Sequence, residues 1–562
     1  GSDKITQGAN WSATTGTVSG KAALRPFSAF LASASKLAAA PLFALAPAPA
    51  PLPPSSFIGG DSTNITFDGN GNPIRFVTTA SGVGDDDSIT ITNGAFNFVI
   101  GGTGADTISV SDGTNTVLGD EGQMTFANGH LLLAETLNSG VGGNDFITTG
   151  SGINHIIGGV GDDTVHTGHG FNLVFGDEAR FIFVEEATHS EIHIALSLNP
   201  EIHGNDVLTT GRGHNTVVGG SGSDWIYTDI GESVIFGDNA QLIWNELHVR
   251  SATTLFHTIG GNDHIRAQGG DSLIFGGFDA DTIYDGNGNS FIAGDNGNAT
   301  LYQGNVGYLI TTDRGTGSGD AINGGSGNDH IFGGKGDDFI DGGSGNDVLL
   351  GDHGSYNRGS GSPGDVTLID EEVGGHDTIL GSGDNDLIYG EGGDDNLDGG
   401  DGDDSIFGSW GEDYLYGGNG DDTLVGGPGY DFLDGGPGAD TLYVDIFDTW
   451  VADYADTIIG GEFWSTGLAY TWLNGGFNSP ITAPGSALDN LLAAFARLRQ
   501  ASPASSDDSA TAALNHLANY QSNILPTTAQ QALEQHHDLV RWGGQGYGYL
   551  LLAMPRLLAL AL

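Results

Sequence analysis

The chain has no cysteine, so neither a disulfide nor a thiolate metal site is open to it. Basic residues are scarce as well: 16 Lys and Arg stand against 71 Asp and Glu, a formal net charge of −55. No Lys or Arg lies between Arg358 and Arg497. That balance excludes nucleic acid and anionic membrane surfaces as partners and makes a divalent cation the natural one. The HExxH and GxSxG patterns are both missing, and with them the residues of a zinc protease or a serine lipase. His189 and His193 have ligand-like spacing, but they fall in a strand-like stretch where a solvated or structural role is the plainer reading. His536 and His537 are adjacent and cannot share a helix face. No run is a convincing transmembrane helix: the apolar stretch at 27–46 is broken by Lys36 and Pro41.

What is abundant is glycine, 97 of 562 residues, without the G-X-Y period of collagen. The glycine is ordered most tightly over 381–443, which reads GSGDNDLIY, GEGGDDNLD, GGDGDDSIF, GSWGEDYLY, GGNGDDTLV, GGPGYDFLD, GGPGADTLY. In these seven unbroken nonapeptides the sixth residue is always Asp: Asp386, Asp395, Asp404, Asp413, Asp422, Asp431 and Asp440. The eighth is always aliphatic, from Ile388 to Leu442. Six residues make a tight turn in which Gly supplies positive φ. In the three-residue strand that follows, only the middle side chain points inward. Carbonyls and one carboxylate per turn are hard oxygen ligands suited to Ca²⁺. Stacked turns place Asp on Asp, so like charges oppose folding until a divalent ion lies between them. The period therefore predicts an all-β chain, a parallel β-roll that binds multiple Ca²⁺ ions in its turns.

These nonapeptides resemble the repeats-in-toxin (RTX, haemolysin-type calcium-binding) family, with its consensus GGxGxDxUx. The resemblance extends in one form or another over about residues 58–445. It implies folding driven by Ca²⁺, export by type I secretion machinery, and successive turns on opposite sides of the roll. Each ion then lies between turns two repeats apart. Roughly a dozen ions would offset about half of the net charge. The same repeats occur in toxins, proteases, lipases, adhesins and surface-layer proteins, so the motif alone does not choose among them.

A longer period runs before the tandem block. Gly-Asp recurs with its Asp at 61, 120, 177, 238, 295 and 352, and the nine-residue phase persists inside each unit. Asp145, Asn154, Asp163 and Asn172 are nine apart, as are Asp206, Asn215, Asp224 and Ser233, then Asp263, Ser272, Asp281 and Ser290. Asp106 and Asn115 keep the phase, whereas Asp87 to Asn97 is ten. Since successive turns face opposite sides, Asp lines one edge and Asn or Ser the other. Calcium is expected mainly along the first edge, with amide and hydroxyl hydrogen bonds closing the second. Asp320, Asp329, Asp338 and Asp347 restore Asp at every turn, so this block and the tandem block should bind on both edges. The candidate metal ligands are therefore Asp106, Asp145, Asp163, Asp206, Asp224, Asp263, Asp281, Asp320, Asp329, Asp338, Asp347 and Asp377, with the seven tandem aspartates. After each Gly-Asp comes an insertion of alternating apolar and polar residues, read as a β-hairpin projecting from the roll. Such hairpins are either tolerated loops or, through aromatics such as Phe181, Trp244 and Tyr302, surfaces for self-assembly or adhesion.

Five segments follow: an Ala/Pro-rich linker at 1–57, hairpin-bearing repeats at 58–352, tandem nonapeptides at 353–445, an aromatic cap at 446–485 and a helical region at 486–562 with a candidate secretion signal. GSDKIT at the start matches the later GGNDFIT, so the linker reads as holding a partial repeat or an appended Gly1-Ser2. Two functions compete. One is a secreted calcium-binding protein with a structural or interaction role at the cell surface (surface layer, filament, matrix or adhesin), not an enzyme. The other is the calcium-binding and export portion of a larger toxin or hydrolase.

Overall fold

The computed structural model describes residues 55–444 except 80–81, 83, 186–189, 203, 246–247, 314 and 370–373. It also describes the backbone of the strands Lys4–Thr6, Val18–Lys21, Arg25–Pro26, Thr449–Val451 and Thr457–Gly460. His189, the helices expected over 486–542 and the expected secretion signal lie outside the described residues. No described helix is long and apolar enough to cross a membrane. The chain divides into two units, Gly1–Gly343 and Ser344–Leu562.

The fold of the first unit follows from the inward aliphatic of each repeat. One parallel sheet aligns Ile89, Ile108, Ile147, Val165, Leu208, Ile226, Ile265, Ile283, Ile322 and Ile340, strand against strand. A second parallel sheet aligns Ile58, Val99, Val117, Ile156, Val174, Val217, Ile235, Ile274, Ile292 and Ile331. All twenty are at most 2% exposed, so each turn delivers its one aliphatic to the core. Full burial of each stabilises by about 1.5–3 kcal/mol. Lys4–Thr6 adds a strand to the first sheet, where Ile5 pairs with Ile89.

The insertions are hairpins as expected, but they do not project singly. Ser62–Phe67/Pro73–Thr78, Gly122–Ala127/His130–Thr136, Ala179–Glu185/Ser190–Ser197, Ala240–Asn245/His248–Thr254 and Gly297–Tyr302/Asn305–Thr311 pair edge to edge into a third, antiparallel sheet. Each hairpin thereby covers the exposed edges of its neighbours. This sheet lies on the outer face of the second sheet, where Phe175 meets Phe181 at 5.2 Å and Phe98 meets Phe126 at 5.1 Å between ring centres. The second sheet is thus covered on both faces. Its strands carry apolar pairs where those of the first sheet carry one aliphatic: LVF at 173–175 against TVH at 164–166. Phe181 and Trp244, expected at the surface, are buried in this layer, and Tyr302 alone of the three is exposed, at 75%. Phe181→Ala should therefore cost about 3–5 kcal/mol, while Tyr302→Ala should stay within about 0.5 kcal/mol. Thermal unfolding of both variants in saturating calcium checks this, and equal melting points would contradict the three-layer packing.

The second unit has the same two parallel sheets. Ile379, Leu397, Leu415 and Leu433 align in one. Leu349, Ile388, Ile406, Leu424 and Leu442 align in the other. Among its described residues it contains one hairpin, Gly354–Asn357/Val366–Leu368. The stack runs on into the segment expected to cap it: Trp450 aligns with Leu433, and Ile458 with Leu442. The rest of that segment lies outside the described residues.

Candidate metal centres in the turns

Strand alternation puts every candidate aspartate at the last position of a turn, just before an inward aliphatic. All nineteen are buried, none more than 3% exposed. Along the edge leading into the first sheet they form a ladder. The backbone N–H of Asp87 donates to Oδ1 of Asp106, and so on through Asp145, Asp163, Asp206, Asp224, Asp263, Asp281 and Asp320 to Asp338, each N···O distance 2.6–2.7 Å. Asp87, which the broken phase had left aside, is the first rung. In the second unit Asp377, Asp395, Asp413 and Asp431 form one ladder, and Asp347, Asp386, Asp404, Asp422 and Asp440 another, at 2.8–3.0 Å. Partners are 18 residues apart within uninterrupted stretches, which is two nonapeptides.

Oδ1 is thus used by the backbone, and the other oxygen is left over. Oδ2 of Asp106, Asp145, Asp163, Asp206, Asp224, Asp263, Asp281, Asp320, Asp386, Asp395, Asp404 and Asp422 is buried without a hydrogen-bond partner. A glycine marks where these atoms point. A methyl group on Gly119 would meet both Asp145 Oδ2 and the Gly158 carbonyl oxygen. The same pairing recurs at Gly158 (Asp163, Gly176), Gly219 (Asp224, Gly237), Gly390 (Asp395, Gly408) and Gly408 (Asp413, Gly426). A carboxylate oxygen and a glycyl carbonyl oxygen from another turn thus converge over a residue with no side chain. Among the described residues no three acidic or histidine side chains gather closely enough to hold a metal by themselves, so any hard cation here draws on carbonyl oxygens as well.

The electrostatics point the same way. Burial, reinforced by the charge of Asp145, pushes Asp106 up to about 9. Burial also raises Asp145 to about 8 and Asp224 to about 7. Asp163, Asp206, Asp263 and Asp281 are held well above the usual carboxylate range by burial and then by the charges of nearby aspartates. In the second unit burial lifts Asp386 and Asp395 to about 8 and Asp422 to about 7. Desolvated stacked carboxylates are costly while ionised, and a bound divalent cation offsets that cost without a proton.

From Asn97 to Asn215 the opposite edge of the first unit is closed by amides, and the Asp285 carboxylate accepts the hydroxyls of Ser272 and Ser290 further along. Nδ2 of Asn97 donates to Oδ1 of Asn115, and the chain of amides continues through Asn154 and Asn172 to Asn215 at 2.8–2.9 Å. Ser272 N–H then donates to Ser290 Oγ, and Ser290 N–H to Asp329 Oδ1, where carboxylates return.

Sequence reasoning took the Gly-Asp aspartates as period markers and missed their role. Asp120 accepts N–H groups from Gly143 and Val160, Asp238 from Gly261 and Phe278, and Asp352 from Gly375 and Gly392. Each joins the base of a hairpin to a turn about 40 residues further on. The available signal was Asp standing where the regular repeat has its second Gly. His193 is exposed on the hairpin sheet.

No curated protein matches the chain. The RTX calcium-binding nonapeptide repeat matches at 91–123, 139–174, 204–235, 257–292, 275–302, 314–349, 373–406, 389–424 and 416–448. These segments contain all nineteen of the aspartates singled out in the sequence, so that the repeats, which bind Ca²⁺ at multiple sites, coincide with the buried carboxylates. The chain belongs to the RTX calcium-binding repeat proteins.

Proposed function

We propose that the chain is a secreted protein that folds on Ca²⁺ outside the cell and there has a structural or interaction role, as part of a surface layer, filament, matrix or adhesin. The ladder aspartates, with the turn carbonyls beside them, are its calcium ligands. Type I secretion machinery exports the chain unfolded, and external calcium then drives folding by linkage. The observation that carries this reading is the continuous third sheet. The five insertions of the first unit pair with one another over ten strands, with Val18–Lys21 as an eleventh, which suits a stiff, extended surface better than a passive export tag.

The test is assembly. Purified chain is dialysed from chelator into millimolar Ca²⁺ and viewed by negative-stain electron microscopy, with sedimentation velocity alongside. Ordered sheets, filaments or higher oligomers that appear with calcium and dissolve on chelation support a structural role. Single particles at every calcium concentration would leave assembly without support and favour the export portion of a larger toxin or hydrolase.

A further inference from the structure

In a chain with 71 acidic residues, one large surface of the first unit has none. It is the outward face of the first sheet. Over nine successive strands, from Ser88–Ile91 to Ala321–Asn323, every outward position is Ser, Thr, Asn, Ala, Val, His, Arg or aromatic; carboxylate returns only at Asp341 of the tenth. The aromatics stand well clear of the sheet: Trp225 is 60% exposed, Tyr284 45%, Phe146 44% and Tyr227 36%.

Register arranges them in rows. Phe146, Trp225 and His264 share one row across the strands, and Tyr227, Arg266 and Tyr284 the next. Trp225 packs on His264 at 4.3 Å between ring centres, and His264 meets Tyr284 edge-on at 5.9 Å. Strand spacing places Tyr227 and Tyr284, two strands apart, at about 10 Å. That is close to the repeat of a β-linked disaccharide, in which alternate sugars present the same face. Between the rings are hydroxyls and the Arg266 guanidinium, which hydrogen-bond sugar hydroxyls.

We propose that this face binds an uncharged, β-linked polysaccharide, the rings stacking on the apolar faces of alternate sugars. Charge selects the occupant. Both rims of the sheet carry exposed carboxylates, Asp162 on one turn edge and Asp112 and Asp271 on the other, and these repel polyanions and a second copy of the same chain alike. A neutral glycan meets no such opposition. The inference rests on the interaction role proposed above and supplies its ligand class.

The experiment is depletion of the folded full chain from solution, in millimolar Ca²⁺, by insoluble cellulose and by insoluble chitin, with electrophoresis through alginate as the polyanionic arm. Trp225→Ala and Tyr284→Ala are tested singly and together, with Tyr302→Ala on the hairpin sheet as control. All are exposed side chains, and circular dichroism verifies their folding. Retention on at least one neutral solid, lowered roughly tenfold in the double variant and unchanged by Tyr302→Ala, is the expected result. Failure to bind either solid, equal retention of the double variant, or stronger retardation by alginate would overturn the proposal. Because the assay uses purified folded protein, a failure here leaves the assembly test of the proposed function untouched.

Discussion

Removing Ca²⁺ with excess chelator should abolish the β-sheet circular dichroism signal and the cooperative melting transition, and restoring millimolar Ca²⁺ should return both. Extracellular calcium modules bind at about 10⁻⁴–10⁻³ M. At ten times such a dissociation constant, one ion adds about 1.4 kcal/mol of stability, and roughly a dozen add about 17 kcal/mol. That exceeds the 5–15 kcal/mol by which an ordinary domain is stable, so the ions decide whether the stack exists. Magnesium should not substitute, because it keeps its waters and demands a tighter octahedral shell than carbonyl-lined turns provide. The two units should also differ. The second has aspartate on both edges and one described hairpin, whereas the first closes one edge with the Asn97–Asn215 amide ladder and adds a third apolar layer. As calcium is lowered, limited proteolysis should therefore cut residues 344–460 before residues 55–343. Identical spectra and melting points with and without chelator would refute the calcium-dependent fold, and simultaneous cleavage of both units would remove the distinction between their edges.

The physics of a two-residue alternation explains what could be read from the chain. A nine-residue period with one aliphatic per strand leaves one way to bury it, so the parallel sheets and the inward residues from Ile89 to Leu442 were legible. So was the Asp/Asn alternation, because a strand between turns sends successive turns to opposite edges. Two things were not. Each hairpin looks on its own like a surface loop, since the sequence cannot say that Phe181 of one insertion will face Phe175 of the repeat before it; that contact depends on neighbouring hairpins pairing laterally. The apolar pairs of the second sheet, such as Val174-Phe175, did hint that both its faces are covered. The Gly-Asp aspartates were hidden because their partners, such as Val160 for Asp120, lie 40 residues away.

Asp395, Asp413 and Asp431 lie on one edge of the second unit, each accepting the backbone N–H of the aspartate before it in the ladder, Asp377, Asp395 and Asp413, at 2.8–3.0 Å. Two triple variants separate the roles of these carboxylates. Asn at all three positions keeps an Oδ1 acceptor while removing the charge, and the amide ladder of the first unit shows that stacked Asn side chains satisfy one another in this geometry. Ala removes acceptor and charge together, leaving three buried N–H groups unsatisfied at about 1–3 kcal/mol each. The Asn variant should therefore bind fewer calcium ions by isothermal titration calorimetry yet fold at saturating calcium. The Ala variant should lose the same ions and also unfold more easily. Losing three sites costs both about 4 kcal/mol at ten times the dissociation constant, so the calcium midpoint for folding should rise in the order wild type, Asn, Ala. An Asn variant that binds as many ions as the wild type would show that turn carbonyls alone hold the calcium. An Ala variant indistinguishable from the Asn variant would show that the Oδ1 ladder adds nothing once the charge is gone.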